Sequence, residues 1–217
     1  HLMFYQKAAK YWENVPSTVD GVLGGFGYIT DIDIEGSKEF LNEILSVNKP
    51  PARKRALDCG AGIGRVSKNL LLPYFDKVDL VEQDEKFIST AKQLIGDNCK
   101  LGTLYQTGLH LFKPQERYDV IWCQWVLGHL HDYDLINFLE RCRDALKKNG
   151  IIVVKENVSS NELEYDDVDS SVTRPSNLML KIFDDANLKV IKTKIQTGFP
   201  DDIYPVYMFA LNSKLEK

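Results

Sequence analysis

The run Asp58-Cys59-Gly60-Ala61-Gly62-Ile63-Gly64-Arg65 passes from an apolar stretch into a helical one through glycines at alternating positions. Glycine removes the Cβ that would hold a ligand off the backbone, and it accepts the positive φ of a tight turn. A second apolar run, Val78-Asp79-Leu80-Val81, ends at Glu82, where a carboxylate can take both hydroxyls of a ribose. Three readings fit this pair: a turn that only packs a helix on a strand, a dinucleotide site, and a site for a nucleoside with a cationic end. A pyrophosphate site expects GxGxxG and a helix N-terminus. Here the spacing is GxGxG, and Asp58 stands just before the first glycine. An acid is unfavourable beside a diphosphate and favourable beside the sulfonium and ammonium of S-adenosylmethionine. Arg65 is placed to pair with the carboxylate of that molecule. The charge pattern favours the methyl donor over a nicotinamide.

Further along, Gly108-Leu109-His110 can offer groups to an adenine edge, with a plain surface histidine as an equal alternative for His110. The segment Trp122-Cys123-Gln124-Trp125 falls at the carboxyl end of an apolar run, where ligands sit in open α/β sheets. Gln124 is expected toward the ligand, and Trp122 in the core, facing away from Gln124. Trp125, Gly128 and His129 follow; the indole offers a flat apolar wall, and a histidine with its ordinary pKa of ~6.5 can accept a proton near neutrality. A histidine that merely caps the following helix is the competing reading. Lys155-Glu156-Asn157 leads into a stretch with Glu162, Glu164, Asp166, Asp167 and Asp169, then Ser170 and Ser171. Carboxylates so crowded repel unless they are solvated or face a cation. A solvated loop is the simpler account, but a loop after a fifth parallel strand borders the pocket, so an acidic rim and a cationic substrate group are expected.

These residues need a scaffold. Short apolar strands are predicted near 55–59, 78–82, 102–106, 118–123 and 150–155, alternating with helices near 63–74, 85–95 and 133–147. That alternation makes a parallel sheet wrapped by helices. A helix at 176–186 and strands near 188–195 and 205–211 suit a mixed sheet with an antiparallel edge. Before the core, Phe4–Trp12 reads as helical, Gly21, Gly24, Gly25 and Gly27 as a loop, and Ser37–Val47 as a helix. His1, Leu2 and Met3 read as appended residues that are not native to the protein.

The 217 residues, 44% hydrophobic and 27% charged, suit one domain across 1–217, with a helical extension (1–51) and a core (52–217). Cys59, Cys99, Cys123 and Cys142 show no metal-ligand or disulfide spacing, so free thiols, no metal and a cytoplasmic or nuclear setting are expected. No apolar run is long enough to span a membrane. The net charge of −4 argues against a nucleic-acid partner and leaves room for a cationic one.

Several segments together carry a resemblance: Thr18-Val19-Asp20-Gly21-Val22-Leu23-Gly24-Gly25, the glycine run ending at Arg65, Gln124-Trp125-Val126-Leu127-Gly128-His129-Leu130, and Asp166-Asp167-Val168-Asp169-Ser170-Ser171-Val172. With Tyr11-Trp12 and Lys155-Glu156-Asn157, they resemble the protein α-N-terminal methyltransferases, which methylate N-termini beginning Xaa-Pro-Lys or Xaa-Pro-Arg. The resemblance implies a Rossmann-like class I methyltransferase fold, an α/β sheet of about seven strands, mostly parallel, with an antiparallel edge and an N-terminal helical cap. It implies S-adenosylmethionine as cofactor, S-adenosylhomocysteine as product, and Gly60, Gly62, Arg65, Glu82, Leu109, His110 and Gln124 as cofactor residues. It further implies that Trp125 stacks on the substrate proline, that Asn157 holds the peptide backbone, and that Asp166, Asp169 and Ser171 receive the basic third residue. His129 and Asp169 would assist deprotonation of the amine, while Trp12, Leu23, Gly24, Ile29 and Tyr204 wall the groove. His110 stands where many relatives carry glutamine, and Glu82 where some carry aspartate.

Overall fold

The computed structural model describes residues 1–216. Before the sheet come α1 (Leu2–Glu13), a short α2 (Val19–Val22) and α3 (Thr30–Ile44). The strands are β1 (Arg55–Cys59), β2 (Lys77–Glu82), β3 (Leu101–Gln106), β4 (Tyr118–Gln124), β5 (Leu146–Ser159), β6 (Glu164–Asp166), β7 (Ser171–Pro175), β8 (Leu188–Ile195) and β9 (Val206–Ser213). The later helices are α4 (Glu85–Ile95), α5 (Asp132–Asp144) and α6 (Ser176–Asp185).

The main sheet runs β3-β2-β1-β4-β5 with every pair parallel. It continues through β9, antiparallel to β5, and β8, antiparallel to β9. Strand β4 is buried along its whole length, as expected of a parallel strand covered on both faces. Strand β8 is buried only at Leu188 and then alternates exposed and half-buried residues, the pattern of a strand with one face toward solvent. One apolar core lies on the α5 and α6 side of the sheet and includes Phe138, Leu139, Ile182 and Phe183; a second lies on the α3 side and includes Phe40, Leu41, Ile44 and Trp122. Cys59, Cys123 and Cys142 are buried free thiols, and Cys99 is exposed.

Three elements depart from the sequence reading. Helix α3 begins at Thr30, not Ser37, because Ile34 joins the buried stripe of Phe40, Leu41 and Ile44. Gly36 and Ser37 are weak helix formers that hide this start, and Gly36 is needed because a Cβ there would lie 2.2 Å from the Gln196 amide oxygen. The helix after the glycine run is short and contains a π-turn over Ser67–Leu71. The stretch read as an acidic loop is a hairpin: β5 runs on to Ser159, where it pairs with β7, and β7 pairs with β6.

Candidate active site

Gly60, Gly62 and Gly64 all adopt positive φ (67°, 58° and 81°), so the loop bends sharply at the end of β1. At Gly60 a Cβ would stand 2.4 Å from a Val126 methyl, so this glycine lets the turn after β4 close against the loop. The Gly62 N–H donates to Glu82 Oε1 at 3.1 Å and the Asp84 N–H to Oε2 at 2.8 Å. Each oxygen keeps a lone pair for a hydroxyl. Burial pushes the Glu82 carboxyl up, and these backbone donors oppose the shift. Asp58 is buried beneath the loop; burial pushes its pKa up to about 7, against the opposing bonds from the Ser67 N–H and hydroxyl.

Asp58, Gly60, Gly62 and Glu82 line one cavity together with Arg65, Leu109, His110 and Gln124. The His110 ring stacks on Tyr5 of α1, centroids 4.0 Å apart and planes 4° apart. Helix α1 therefore roofs the cavity, and burial lowers the His110 pKa.

Asp33 of α3 was not visible as a site residue in the sequence because its helix was not. It is fully buried and accepts from Arg65 at 2.7 Å, from Lys155 at 2.6 Å, and from the Gln124 amide at 2.8 and 3.0 Å. Trp122 corrects a sequence expectation. It is buried, but its indole N–H donates to the Gln124 side-chain oxygen at 2.9 Å, because residues two apart on a strand share a face.

Beyond β4 the chain turns at Trp125, whose φ of 49° is left-handed. The turn is held by Glu156, which accepts from the Val126 N–H at 2.7 Å and the Leu127 N–H at 2.9 Å. The Trp125 indole N–H donates to Asn157 Oδ1 at 2.9 Å. The His129 Nε2 accepts from the Trp12 indole N–H at 3.1 Å, and Nδ1 lies 3.1 Å from the Ser170 carbonyl. An indole only donates, so Nδ1 carries the proton in this arrangement. Burial lowers the His129 pKa, partly offset by Asp169. Asp169 itself accepts from the Ser171 hydroxyl at 2.6 Å.

Trp12, Leu23, Ile29, Trp125, His129, Asn157, Asp169, Ser171 and Tyr204 line a second, outer groove. Two expected residues do not. Asp166 is exposed and accepts from the Val168 N–H at 2.8 Å, shaping its own hairpin turn, and Gly24 is exposed at φ 59°. The groove instead gains Asp201 and Asp202, which the sequence reading missed, beside Glu164. No lysine or arginine is among its lining residues. The cavity and the groove share a wall of Trp12, Leu23, Trp125 and His129. Ligands bound in the cavity and in the groove would meet at this shared wall. Among the described residues, no group of three or more histidines, cysteines or carboxylates could hold a metal ion.

The sequence profile of a family described as AdoMet dependent proline di-methyltransferase matches residues 1–212. The chain is 49% identical over 212 residues to the N-terminal Xaa-Pro-Lys N-methyltransferase 1 of Xenopus tropicalis, covering 96% of this chain and 95% of that protein. Identity to the protein of the same name from Homo sapiens is 47% over 212 residues, with the same coverage of 96% and 95%. Among solved structures, it is similar to a SAM-dependent methyltransferase from Leishmania major with a TM-score of 0.91 at 38% identity, covering 96% of this chain and 83% of that one.

Proposed function

The chain belongs to the family of AdoMet dependent proline di-methyltransferases, and from that premise we propose that it methylates the α-amino group of protein N-termini beginning Xaa-Pro-Lys or Xaa-Pro-Arg, in the cytoplasm or nucleus. The enzyme uses S-adenosylmethionine, and the cavity suits that cofactor: Glu82 has oxygens to spare for the ribose, and Asp58 stands where a cationic end is favoured. The observation that carries the acceptor reading is the outer groove, lined by Glu164, Asp169, Asp201 and Asp202 without a lysine or arginine, meeting the cofactor cavity at Trp125 and His129. Such a groove favours a chain that bears positive charge.

When bound, the cofactor supplies an electrophilic methyl group on a sulfonium, open to in-line attack by a neutral amine. The protein's part is alignment and desolvation. Trp125 gives a flat wall for a proline, which has no N–H to leave unpaired there. Asn157 has its oxygen occupied by Trp125, so its amide N–H groups are left to meet a peptide carbonyl. Asp169, with Ser171 bonded to one oxygen, receives the basic third side chain. Leu23, Ile29 and Tyr204 wall the groove.

A terminal amine has an ordinary pKa of ~7.7–8.0, so much of it is neutral at physiological pH and a weak acceptor for its proton is enough. A lysine side chain at ~10.4 is far harder to deprotonate. His129 and Asp169 assist, with the imidazole lone pair at Nε2 reached when Trp12 gives up its bond. Mass spectrometry of an Xaa-Pro-Lys hexapeptide incubated with enzyme and S-adenosylmethionine tests the reading. Methyl increments confined to the α-amine are expected; labelling of free small amines in preference to the peptide would reject it.

A further inference from the structure

Asp33, Arg65, Lys155 and Gln124 come from four separate segments and meet in a buried cluster beside the cofactor cavity. Arg65 and Gln124 line that cavity; Asp33 and Lys155 do not. Lys155 is fully buried, with its ammonium 2.6 Å from Asp33 Oδ1, 2.9 Å from the Ser37 hydroxyl and 2.7 Å from the Gln196 amide oxygen. Burial favours the neutral amine, and the Asp33 carboxylate opposes that. All of the groups around Asp33 are donors, so its carboxylate is the single anion facing two cations. Asp58 also interacts with Arg65, but burial favours its neutral form, and its hydrogen bonds from Ser67 go to one oxygen, Oδ2.

A buried arginine paired only with Asp33 would have its charge cancelled. A buried positive charge left over is costly unless an anion completes the cluster. Arg65, the cation of the cluster that reaches the cavity, also lies with its guanidinium carbon 5.9 Å from the Trp125 ring centre, within reach of a cation–π contact.

We infer that Asp33 and Lys155 are positioning residues for the amino-acid end of the cofactor: Asp33 orients Arg65 and Gln124 together, and Lys155 neutralises Asp33 so that Arg65 keeps its charge for the cofactor carboxylate. The inference rests on the methyl donor alone and is independent of which amine accepts the methyl group. It assigns to two residues outside the cavity a share in selecting a ligand that carries a carboxylate.

Calorimetry with two ligands tests this. S-adenosylhomocysteine carries the carboxylate, and 5′-methylthioadenosine has the same nucleoside without the amino-acid end. In Lys155→Met, affinity for S-adenosylhomocysteine should fall about tenfold or more, the scale of one charge-assisted bond, while affinity for methylthioadenosine is unchanged. Asp33→Asn with Lys155→Met removes both charges, leaves Arg65 unpaired, and should recover much of the lost affinity. A purely structural role predicts equal losses for both ligands and a double variant no better than the single one; either result overturns the proposal. Should Lys155→Met fail to fold, Lys155→Gln, which keeps polar partners without the charge, carries the same comparison.

Discussion

The indole N–H of Trp12 and the Nε2 of His129 are bonded at 3.1 Å across more than a hundred residues of sequence, joining α1 to the turn after β4. The bond holds the imidazole neutral at the junction of the two cavities, and burial lowers its pKa further. Below its folded pKa a histidine is protonated and useless as an acceptor. A value depressed below 6.5 leaves His129 neutral across physiological pH. The pH dependence of kcat/KM should then rise with the ionisation of the peptide amine, at ~7.7–8.0, without a second inflection from the histidine in that range. An additional ascending limb between that range and the ordinary histidine value, absent in His129→Ala, would contradict it. His129→Ala itself should lower kcat well over tenfold if the ring takes part in general base catalysis, with cofactor affinity little changed, as calorimetry and steady-state assays would show.

Gly60→Ala should damage stability and cofactor binding together. The added Cβ meets Val126 at 2.4 Å, and φ of 67° is a left-handed conformation. The backbone term alone costs about 1–2 kcal/mol, and the clash adds to it. At ~2–4 °C per kcal/mol for a chain of this size, the melting temperature should drop by several degrees. The shift produced by S-adenosylhomocysteine should also shrink. A variant that melts like the parent would show that the loop can relax away from Val126.

Glu156 gives a prediction about stability. Burial pushes its carboxyl up to about 7, against the donors from Leu127 and Val126. An unfolded glutamate titrates near ~4.3. Between those values the folded chain binds a proton that the unfolded chain does not, so this group's contribution to stability falls as pH rises toward 7 and is flat above it. Glu156→Gln keeps an oxygen for both N–H groups and cannot ionise. Its melting temperature should therefore depend less on pH between 5 and 7 than that of the parent. Parallel curves for the two proteins would mean that Glu156 is ionised throughout.

The legibility of the sequence followed the kind of signal each residue carries. The glycine run, Glu82 and Gln124 were readable because their spacing is imposed by the strand-turn-helix geometry that also makes the cavity. The strands near 55–59 and 188–195 were readable because apolar runs and alternation report burial directly. Asp33 was not, because Gly36 and Ser37 masked the first turns of α3, and because a buried aspartate looks like any surface one until its partners are known. Lys155 and Glu156 were visible as a motif, yet their roles depend on Ser37, Gln196 and the turn after β4, all distant in sequence. The error over which way Trp122 faces came from applying strand alternation with the wrong parity: residues two apart share a face, and Trp122 donates to Gln124 across it. Crowded carboxylates suggested a loop, whereas antiparallel pairing of Glu164 with Thr173, Tyr165 with Val172 and Asp166 with Ser171 organises them into a hairpin.

That hairpin sets the last prediction. It brings Asp169 and Ser171 to the groove while Asp201 and Asp202 arrive from the segment before β9, so carboxylates surround the groove from two directions. Changing the third residue of a peptide from lysine to glutamate should weaken binding by one to two orders of magnitude at low salt, from loss of a charge-assisted bond. Added salt should narrow the gap, since part of the attraction acts through solvent. Asp169→Asn separates the local contact from the field of the whole groove. It should lower kcat/KM for the lysine peptide by roughly tenfold or more while leaving part of the lysine-over-glutamate preference, supplied by Glu164, Asp201 and Asp202. Loss of the entire preference in Asp169→Asn would place all the discrimination in that one carboxylate. Equal affinities of the unaltered enzyme for the two peptides would show that the groove does not read charge.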